Sequence, residues 1–255
     1  MRRTPWTICA IFREEAPFLD EWIRFHLGVG VSHFFLYNNF STDHFEEVLR
    51  PWISAGVVTL TDWPVPVGQL SAYRHCLRRA RGSCRWLALI DVDEFLFSSA
   101  TRDIRPILRA RAHLPGVVVW QVFFGSGGPV TRPDSFVTFS YRRSAGAART
   151  TLKTIANPRL VYKVGVHLCK FWGAEALDTA GRSVESGQTP VLDELRLNHY
   201  WSRSIEDLRV KVARGDASTA HARDLERHIA FERTLNAEAD ETIIPLAEAI
   251  LSAAP

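Results

Sequence analysis

The sequence has few cysteines, and their spacing excludes several common protein classes. Its 255 residues include four, and no two of them form a Cys-x-x-Cys pair. They are Cys9, Cys76, Cys84 and Cys169. This spacing argues against a zinc ribbon, a thiol redox motif and a disulfide framework. A chain of this length can bury a core without such cross-links. We therefore expect a protein of the reducing cytoplasm.

The chain also lacks a long apolar run and a strong excess of charge. Its longest apolar segment, at 117–124, has the length of a strand and is far too short to span a bilayer. Residues 1–11 are too short and too mixed in composition for a signal peptide. The net charge is +3, which does not indicate a dedicated nucleic-acid binder. These features predict a soluble enzyme and leave open a peripheral contact with a membrane.

The first half of the chain alternates between strand-like and helix-like segments. Apolar runs predict strands at 7–12, 32–37, 57–60 and 86–90. Helical spacing with start and stop signals predicts three helices between them. The first begins at Pro17, the second is capped by Asp43 and ends near Pro51, and the third spans 69–81. Strands joined by helices indicate an α/β fold with a mostly parallel sheet, covered on both faces.

The second half is less regular. The segments at 117–124 and 136–141 are predicted as strands, and the polar segment at 173–190 as a mobile loop. Ser204 and Asp207 form a capping-box pattern, which predicts a helix that ends at Gly215. A last helix is expected within 238–252.

An acidic motif, Asp91-Val92-Asp93, directly follows the fourth predicted strand. Alternate side chains of a strand share a face, so both carboxylates can reach one cation. Mg²⁺ and Mn²⁺ prefer oxygen ligands and also bind phosphate oxygens. The motif therefore predicts a metal site that holds a diphosphate. An acidic turn that caps a helix is the alternative interpretation.

Polar side chains follow the other predicted strands as well. They are Arg13, Glu14 and Glu15 after the first strand, Asn38, Asn39 and the 41–43 segment after the second, and Asp62 after the third. Ligands of open α/β sheets bind at the carboxyl ends of the strands, so these residues outline a nucleotide crevice. Each of them alone could equally be an ordinary turn or cap.

Two histidines and several cations complete the set of candidates. His199 could add a neutral imidazole to a metal site built from carboxylates, and His167 is a second candidate. The cations Lys153, Arg159, Lys163 and Lys170 lie between or near them, and some could face a diphosphate. The alternatives are a structural histidine and a solvated surface charge.

Several segments carry a resemblance to a known family. They are REEAPFLDEWIRFHLGVG at 13–30, HFFLYNNFSTD at 33–43, GVVTLTDWP at 56–64 and WLALIDVDEFL at 86–96. Weaker similarity lies in LKTIANP at 152–158, VGVH at 164–167 and NHYWSRS at 198–204. Together they resemble glycosyltransferase family 92 and the neighbouring bacterial family-2-like glycosyltransferases, formerly a domain of unknown function. The stronger resemblance covers roughly residues 6–97 and the weaker one extends to about residue 215.

This resemblance implies a GT-A fold, a Rossmann-like sheet flanked by helices, with a less regular acceptor half. We place the glycosyltransferase domain at 1–215, divided into a nucleotide-sugar half at 1–97 and an acceptor half at 98–215. Residues 216–255 would form a C-terminal helical extension. The resemblance also implies a UDP-sugar donor, with UDP-galactose as the first candidate, an inverting transfer, and Mn²⁺ or Mg²⁺ as cofactor.

Carried over by position, the resemblance places Glu15 and Asp43 at the nucleotide and makes His199 a metal ligand. The complete expected donor set also includes the polar residues at the strand ends: Arg13, Glu15, Asn38, Asp43, Asp62, Gln69, Asp91 and Lys153. The expected metal ligands are Asp91, Asp93 and His199. The sequence departs from the family pattern at Arg13-Glu14, Asn38 and Gly128-Pro129, which affects the contacts to the donor base and the identity of the acceptor.

An inverting transfer requires a carboxylate that accepts the proton of the attacking hydroxyl. The candidates are Glu175, Glu94 and Asp193. Glu175 is favoured because it follows the aromatic pair Phe171-Trp172, which could stack on a sugar face, although core packing is the other explanation of that pair. The 173–190 loop is expected to close over the bound donor.

Other functions are compatible with the same residues. A metal-dependent nucleotidyltransferase or phosphohydrolase could also place two aspartates at a strand end. The eight tryptophans would also suit a non-catalytic carbohydrate-binding protein. A third alternative binds nucleotide and transfers nothing. For the glycosyltransferase, the expected partners are a nucleotide sugar and a glycan or lipid-linked glycan acceptor, without nucleic acid.

Overall fold

The computed structural model describes residues 6–185, 187–215, 217 and 224–252. Its first half contains four strands joined by three helices: β1 (Trp6–Phe12), α1 (Ala16–Gly28), β2 (His33–Asn38), α2 (Phe45–Ser54), β3 (Val58–Asp62), α3 (Gln69–Ala80) and β4 (Trp86–Leu89). β1 pairs in parallel with β2 and β4, and β2 pairs in parallel with β3. The alternation predicted from the apolar runs is therefore confirmed.

The second half adds strands on the other side of β4. Its elements are β5 (Glu94–Phe97), α4 (Arg105–Ala110), β6 (Gly116–Phe124), α5 (Val137–Ser140), β7 (Arg143–Ser144), β8 (Thr150–Ala156), β9 (Val161–Lys163), β10 (Lys170–Phe171), β11 (Arg196–Tyr200), α6 (Ile205–Arg214), α7 (Leu225–Arg233), β12 (Glu238–Ala239) and α8 (Ile244–Leu251). The sheet runs in the order β12-β7-β6-β8-β4-β1-β2-β3, and β11 joins β6 to β5.

Strand direction decides which chain segments share an edge of this sheet. β8 is antiparallel to both β4 and β6, and β11 is parallel to β6. β1, β2, β4, β6 and β11 therefore all point the same way, and their carboxyl ends lie at one edge. Every residue of β1 is buried, because helices cover both faces of the sheet there. This is the α/β architecture, with a mostly parallel sheet, that was predicted.

One predicted strand is a short helix. Residues 136–141 contain α5, because the buried carboxylate of Glu21 accepts hydrogen bonds from the backbone N–H groups of Val137 and Thr138, at 2.7 and 3.0 Å. The Thr138 hydroxyl donates to the same carboxylate at 2.9 Å. A carboxylate that accepts hydrogen bonds from the free N–H groups of a first helical turn stabilises a helix at this position rather than a strand.

The predicted cap of α2 is also wrong. Asp43 does not cap that helix, since His44 holds the N-cap position without a side-chain hydrogen bond. Oδ2 of Asp43 instead accepts from the backbone N–H of Ala16 at 2.8 Å, at the start of α1. Asp43 therefore ties the β2–α2 connection to the first turn of α1. The capping box at Ser204 and Asp207 is confirmed at the start of α6.

The C-terminal segment is part of the main domain. β12 pairs with β7 in the large sheet, and α8 packs on α1 and contributes Ile250 and Leu251 to the core. A Cβ atom on Gly28 would lie 2.5 Å from Ile250, so the glycine permits this contact. Where the structure describes 216–255, the segment expected as a helical extension contributes a strand to the large sheet and a helix to the core, and α8 lies within the expected range 238–252. In the described ranges, no helix has the length and apolar character that crossing a bilayer requires.

Candidate active site

A cleft of about 270 Å³ lies at the edge where the parallel strands end. The segments that follow β1 and β4, the end of β11 and the end of α6 all contribute to its walls. Its polar lining residues are Arg13, Glu15, Asn39, Gln69, Asp91, Asp93, His167, His199, Trp201, Lys211 and Arg214. The carboxyl ends of the strands are the ligand edge in open α/β sheets, and the cleft lies at that edge.

Asp91 is fixed on both of its carboxylate oxygens. Oδ1 accepts hydrogen bonds from Nε2 of Gln69 at 3.0 Å and from the hydroxyl of Tyr73 at 3.2 Å, both on α3. Oδ2 accepts from Nζ of Lys153 on β8 at 3.0 Å. The side chain is still 29% exposed toward the cleft. The first aspartate of the acidic motif is therefore held rigidly by two neighbouring elements.

Asp93 faces a different set of partners. Its Oδ2 lies 2.6 Å from Nζ of Lys211 and 3.3 Å from Nε2 of His199. Burial would raise the pKa of this carboxyl, but Lys211 and His199 outweigh that effect and hold the pKa well below its ordinary value. Asp93 is therefore a carboxylate anion at neutral pH, at the junction of β11 and α6.

Glu94 and Lys153 form a buried layer beneath the cleft. Lys153 is 2% exposed and Glu94 is 1% exposed, and Nζ of Lys153 lies 3.2 Å from Oε2 of Glu94. Gln121 donates a hydrogen bond to the other oxygen of Glu94. Burial, opposed in part by Lys153, raises the pKa of Glu94 to about 7. Burial alone would lower the pKa of Lys153, but Asp91 and Glu94 hold it above its ordinary value. This layer positions Asp91 from below.

Glu15 joins the first strand to helix α6. It is 4% exposed, and its two carboxylate oxygens accept hydrogen bonds from Arg203 and Arg214. Burial would raise the pKa of Glu15, but these two guanidinium groups lower it below its ordinary value. Arg214 also donates to the backbone carbonyl of Arg13. Glu15 therefore anchors α6 over the cleft, with both oxygens engaged by arginine.

Within the described ranges, four residues other than glycine adopt positive φ angles, and all four lie in segments that border this cleft. They are Glu14 (φ 53°), Phe40 (φ 62°), Val67 (φ 52°) and Arg203 (φ 53°). Positive φ is rare outside glycine and is least tolerated by β-branched residues such as valine. Strained backbone of this kind concentrates at functional sites, where the surrounding structure enforces it. Its clustering supports the choice of this cleft as the candidate active site.

The structure brings together only part of the expected donor set. Arg13, Glu15, Gln69 and Asp91 line the cleft, and Lys153 lies directly beneath it. Asn38 does not line it, because its side chain donates to Asp62 at 3.1 Å and accepts from the backbone N–H of Ser41 at 2.9 Å. Asn39 lines the cleft in its place. Asp43 is occupied at the start of α1.

The three candidates for the catalytic base are also separated. Residue 177 bridges to Val117, near the start of β6, so Glu175 lies toward the opposite edge of the sheet, where it accepts from the Ser183 hydroxyl at 2.8 Å. Asp193 precedes β11 at that same opposite edge, where its carbonyl accepts from the hydroxyl of Ser99 at 3.0 Å. Neither lines the cleft. Glu94 is at the site but buried beneath its surface. The aromatic pair is divided too, with Phe171 buried and Trp172 exposed.

The side chains present fit a divalent cation. One ligand atom each of Asp93, Glu94 and His199 lies within 4.8 Å of the other two. Nδ1 of His199 is buried and has no hydrogen-bond partner among the described residues. Carboxylate oxygens with an imidazole nitrogen suit Mn²⁺ and similar ions. Asp91, the other expected carboxylate ligand, lies outside this cluster and is held by Lys153, Gln69 and Tyr73, and its role as a metal ligand stays a prediction.

Sequence reasoning missed the cations that α6 brings to the cleft. Lys211 and Arg214 are three residues apart, so they share one face of the helix. The capping box predicted the helix but not where it packs in the fold. Because 118 residues separate Lys211 from Asp93, no local pattern indicates their contact. The sequence predicts His167 only as a possible metal ligand. Its Nδ1 lies 3.3 Å from the carbonyl oxygen of Leu152, which fixes the ring at the cleft wall.

Two known proteins are similar in sequence to part of this chain. A glycosyltransferase family 92 protein of Oryza sativa subsp. japonica is 37% identical over 138 residues, which are 52% of this chain and 24% of that protein. The galactan beta-1,4-galactosyltransferase GALS2 of Arabidopsis thaliana is 29% identical over 168 residues, which are 59% of this chain and 32% of that protein. The chain thus spans about a quarter to a third of the length of these two relatives.

Among solved structures, residues 1–349 of S. aureus TarS in complex with UDP-GlcNAc align with 97% of this chain and 71% of that one, at a TM-score of 0.49 and 10% identity. The sequence model of glycosyltransferase family 92 matches residues 6–212, a range that includes the acidic motif, β11 and most of α6. The chain belongs to glycosyltransferase family 92.

Proposed function

We propose that this chain is a metal-dependent glycosyltransferase that moves a sugar from a UDP-sugar to a hydroxyl of a glycan or lipid-linked glycan, with inversion. The observation that carries the proposal is the meeting of an acidic cluster and a set of cations in one cleft. Asp93, Glu94 and His199 form the cluster, and Lys211 and Arg214 line the adjoining wall. UDP-galactose is the first donor to test, because two relatives are named galactan beta-1,4-galactosyltransferases.

The cations of the cleft suit a diphosphate. Arg13, Lys211 and Arg214 come from two elements that converge on the same cavity. Guanidinium groups bind phosphate oxygens in pairs, and an ammonium group adds a compact charge. A divalent ion held by Asp93 and His199, with Glu94 behind them, would neutralise charge on the departing UDP. Lys211 and Arg214 would hold the same diphosphate from the side of α6.

We assign the role of general base to His167 in place of the carboxylates expected from the sequence. A carbonyl oxygen only accepts hydrogen bonds, so Nδ1 of His167 carries the proton that it donates to Leu152. The lone pair is then on Nε2, which has no hydrogen-bond partner in the described part of the chain. Burial, helped by Lys153, lowers the pKa of His167 below its ordinary value, which keeps the ring neutral. A neutral imidazole at the cleft wall can accept the proton of an attacking hydroxyl.

The proposal is tested by ligand binding and product analysis. We expect UDP and UDP-galactose to raise the unfolding temperature more with Mn²⁺ than without it, because a ligand that binds only the folded state stabilises it. Asp93→Ala should lose the Mn²⁺-dependent part of the shift and the transfer activity. Asp193→Asn, a carboxylate change at the opposite edge of the sheet, is the matched control and should retain both.

Product analysis separates the proposal from its rivals. A glycosyltransferase releases UDP and leaves the sugar bonded to the acceptor oxygen, whereas a phosphohydrolase or nucleotidyltransferase releases phosphate, pyrophosphate or UMP. Stabilisation by glycans alone, without nucleotide or metal, would favour a carbohydrate-binding protein. Unchanged Mn²⁺-dependent binding in Asp93→Ala would contradict the metal assignment. A cytoplasmic location stays a prediction.

A further inference from the structure

The hairpin formed by β9 and β10 has an exposed surface, here called its outer face, that carries both apolar and basic side chains. We define the hairpin as residues 159–172. Ten large hydrophobic side chains are exposed in the described part of the chain, and four of them belong to these fourteen residues. They are Leu160 (36% exposed), Tyr162 (50%), Leu168 (43%) and Trp172 (70%). Contiguous exposed apolar surface of this kind marks interaction sites in soluble proteins.

This face is an ordered part of the fold. Val161 pairs with Phe171 across the two strands, and both side chains are buried in the core beneath the hairpin. Because alternate residues of a strand point to opposite sides, Tyr162 faces outward. The rings of Tyr162 and Trp172 are in contact at a tilt of 43°, with centroids 4.7 Å apart, and the backbone N–H of Trp172 donates to the carbonyl of Leu160 at 3.2 Å. Because Val161 and Phe171 are packed in the core, Tyr162 and Trp172 are held exposed to solvent.

The charges on the hairpin are all positive. Arg159, Lys163 and Lys170 are exposed, and Lys163 pairs with Lys170 across the two strands, next to a register shift between Lys170 and Phe171. Within the described ranges, neither lysine has a carboxylate at ion-pair distance. Like charges directly opposite each other destabilise a strand pair, so the fold gains nothing from this arrangement. An anionic partner outside the protein would relieve the repulsion.

The hairpin also adjoins the cleft. Its connecting turn contains Val166 and His167, which line the candidate active site. The carbonyl of His167 accepts from the Thr154 hydroxyl at 3.4 Å, which ties this turn to β8. A partner bound to the outer face would therefore lie beside the mouth of the cleft.

We propose that the outer face of the hairpin docks on the interface of an anionic lipid bilayer. Tryptophan and tyrosine favour the headgroup level of membranes, and leucine side chains add apolar area that enters the acyl boundary. Lysine and arginine near the surface are attracted to anionic headgroups. Docking in this way would hold the cleft next to the lipid surface, where a lipid-linked acceptor presents its hydroxyl groups.

The composition favours a bilayer over a glycan chain as the partner. An aromatic pair alone would suit the face of a sugar ring, but Leu160 and Leu168 offer no hydrogen bonds to hydroxyl groups. The three cations of the hairpin would also add little to the binding of a neutral glycan. A bilayer with anionic headgroups matches both the apolar and the charged part of the face.

The test is sedimentation of the full chain with phosphatidylcholine vesicles, with and without phosphatidylglycerol. We expect binding at least about tenfold stronger with the anionic lipid at low ionic strength, and weaker as salt is added. The double variant Tyr162→Ala/Trp172→Ala should weaken binding by about tenfold or more. Lys163→Gln/Lys170→Gln should remove most of the preference for phosphatidylglycerol. No nucleotide sugar is present, so the outcome is independent of the transferase proposal.

The matched control is Ile53→Ala/Arg50→Gln, an exposed apolar and basic pair on α2. It should bind vesicles like the unmodified chain, and all three double variants should keep its unfolding temperature, because the changed side chains are exposed. Binding that is absent, equal on both vesicle types, or unchanged in the hairpin variants overturns the proposal. Loss of glycan binding in Trp172→Ala, with no vesicle binding by the unmodified chain, assigns the face to carbohydrate instead.

Discussion

The ammonium nitrogen of Lys211 lies 2.6 Å from Oδ2 of Asp93, the oxygen that is also nearest to the imidazole of His199. This contact joins the acidic motif after β4 to helix α6. It places a protein cation beside the atoms that we assign to a metal ion. A metal ion bound at this cluster would share one carboxylate with the lysine, and the two positive charges would repel each other.

Lys211→Met should strengthen the binding of Mn²⁺ to the nucleotide-free protein by at least about threefold, since it removes a positive charge that lies 2.6 Å from Oδ2 of the proposed ligand Asp93. Titration calorimetry measures the change directly. Arg209→Met removes an exposed cation from the same helix and should leave the affinity unchanged. Equal or weaker Mn²⁺ binding in Lys211→Met would show that the ion does not use Asp93.

Lys153→Met should destabilise the fold by about 3 kcal/mol or more, because it leaves the buried carboxylate of Glu94 without its cation. Urea denaturation gives the free energy of unfolding. The double variant Lys153→Met/Glu94→Gln should be less destabilised than Lys153→Met alone, since neutral Gln needs no counter-charge. Lys163→Met, at an exposed site, should change the free energy by less than about 0.5 kcal/mol. Additive effects in the double variant would contradict a direct ion pair.

His26 should make stability depend on pH. Its ring is fully buried, Nδ1 donates to the carbonyl of Trp22 at 2.8 Å, and Nε2 accepts from the backbone N–H of Leu96 at 3.1 Å. Burial lowers the pKa of this histidine to about 3, against about 6.5 in the unfolded chain. Only the unfolded state binds the proton between these values. The contribution of His26 is therefore complete above about pH 6.5 and is lost as pH falls toward 3.

Between pH 7 and pH 5, this difference should lower the free energy of unfolding by about 2 kcal/mol. Urea denaturation at the two pH values measures the loss. His26→Gln cannot take up the proton, so its free energy of unfolding should fall less over the same interval. Equal slopes for the two proteins would show that His26 titrates alike in the folded and unfolded states.

His167→Ala should lower kcat for sugar transfer by about 10²-fold or more while leaving the affinity for UDP within a few-fold. In the unmodified chain, kcat should rise with pH through a pKa below the ordinary histidine value, because burial and Lys153 favour the neutral ring. The variant should lose this acid limb. His113→Ala, an exposed histidine away from the cleft, is the control. A variant that keeps the acid limb would assign it to another group.

The sequence predicted the elements of the first half of the chain closely, because buried strands and amphipathic helices leave periodic apolar patterns. Asp91 and Asp93 were expected at the end of β4, and they are there. The short helix α5 was not predicted, because the signal for it is Glu21, more than a hundred residues earlier. Local patterns cannot report a hydrogen bond that forms only after the chain has folded.

For the same reason, the sequence predicted only part of the candidate site. The sequence alone determined the strand–helix order, the position of the acidic motif and the capped start of α6, since these depend on residues near one another in the chain. The tertiary structure decided which side chains lie next to the acidic motif. The insertion of β8 between β4 and β6 brings Lys153 to Asp91, and α6 brings Lys211 to Asp93. The direction of β11 sets His199 at the cleft and Asp193 at the other edge, because residues at the two ends of one strand face opposite edges of the sheet.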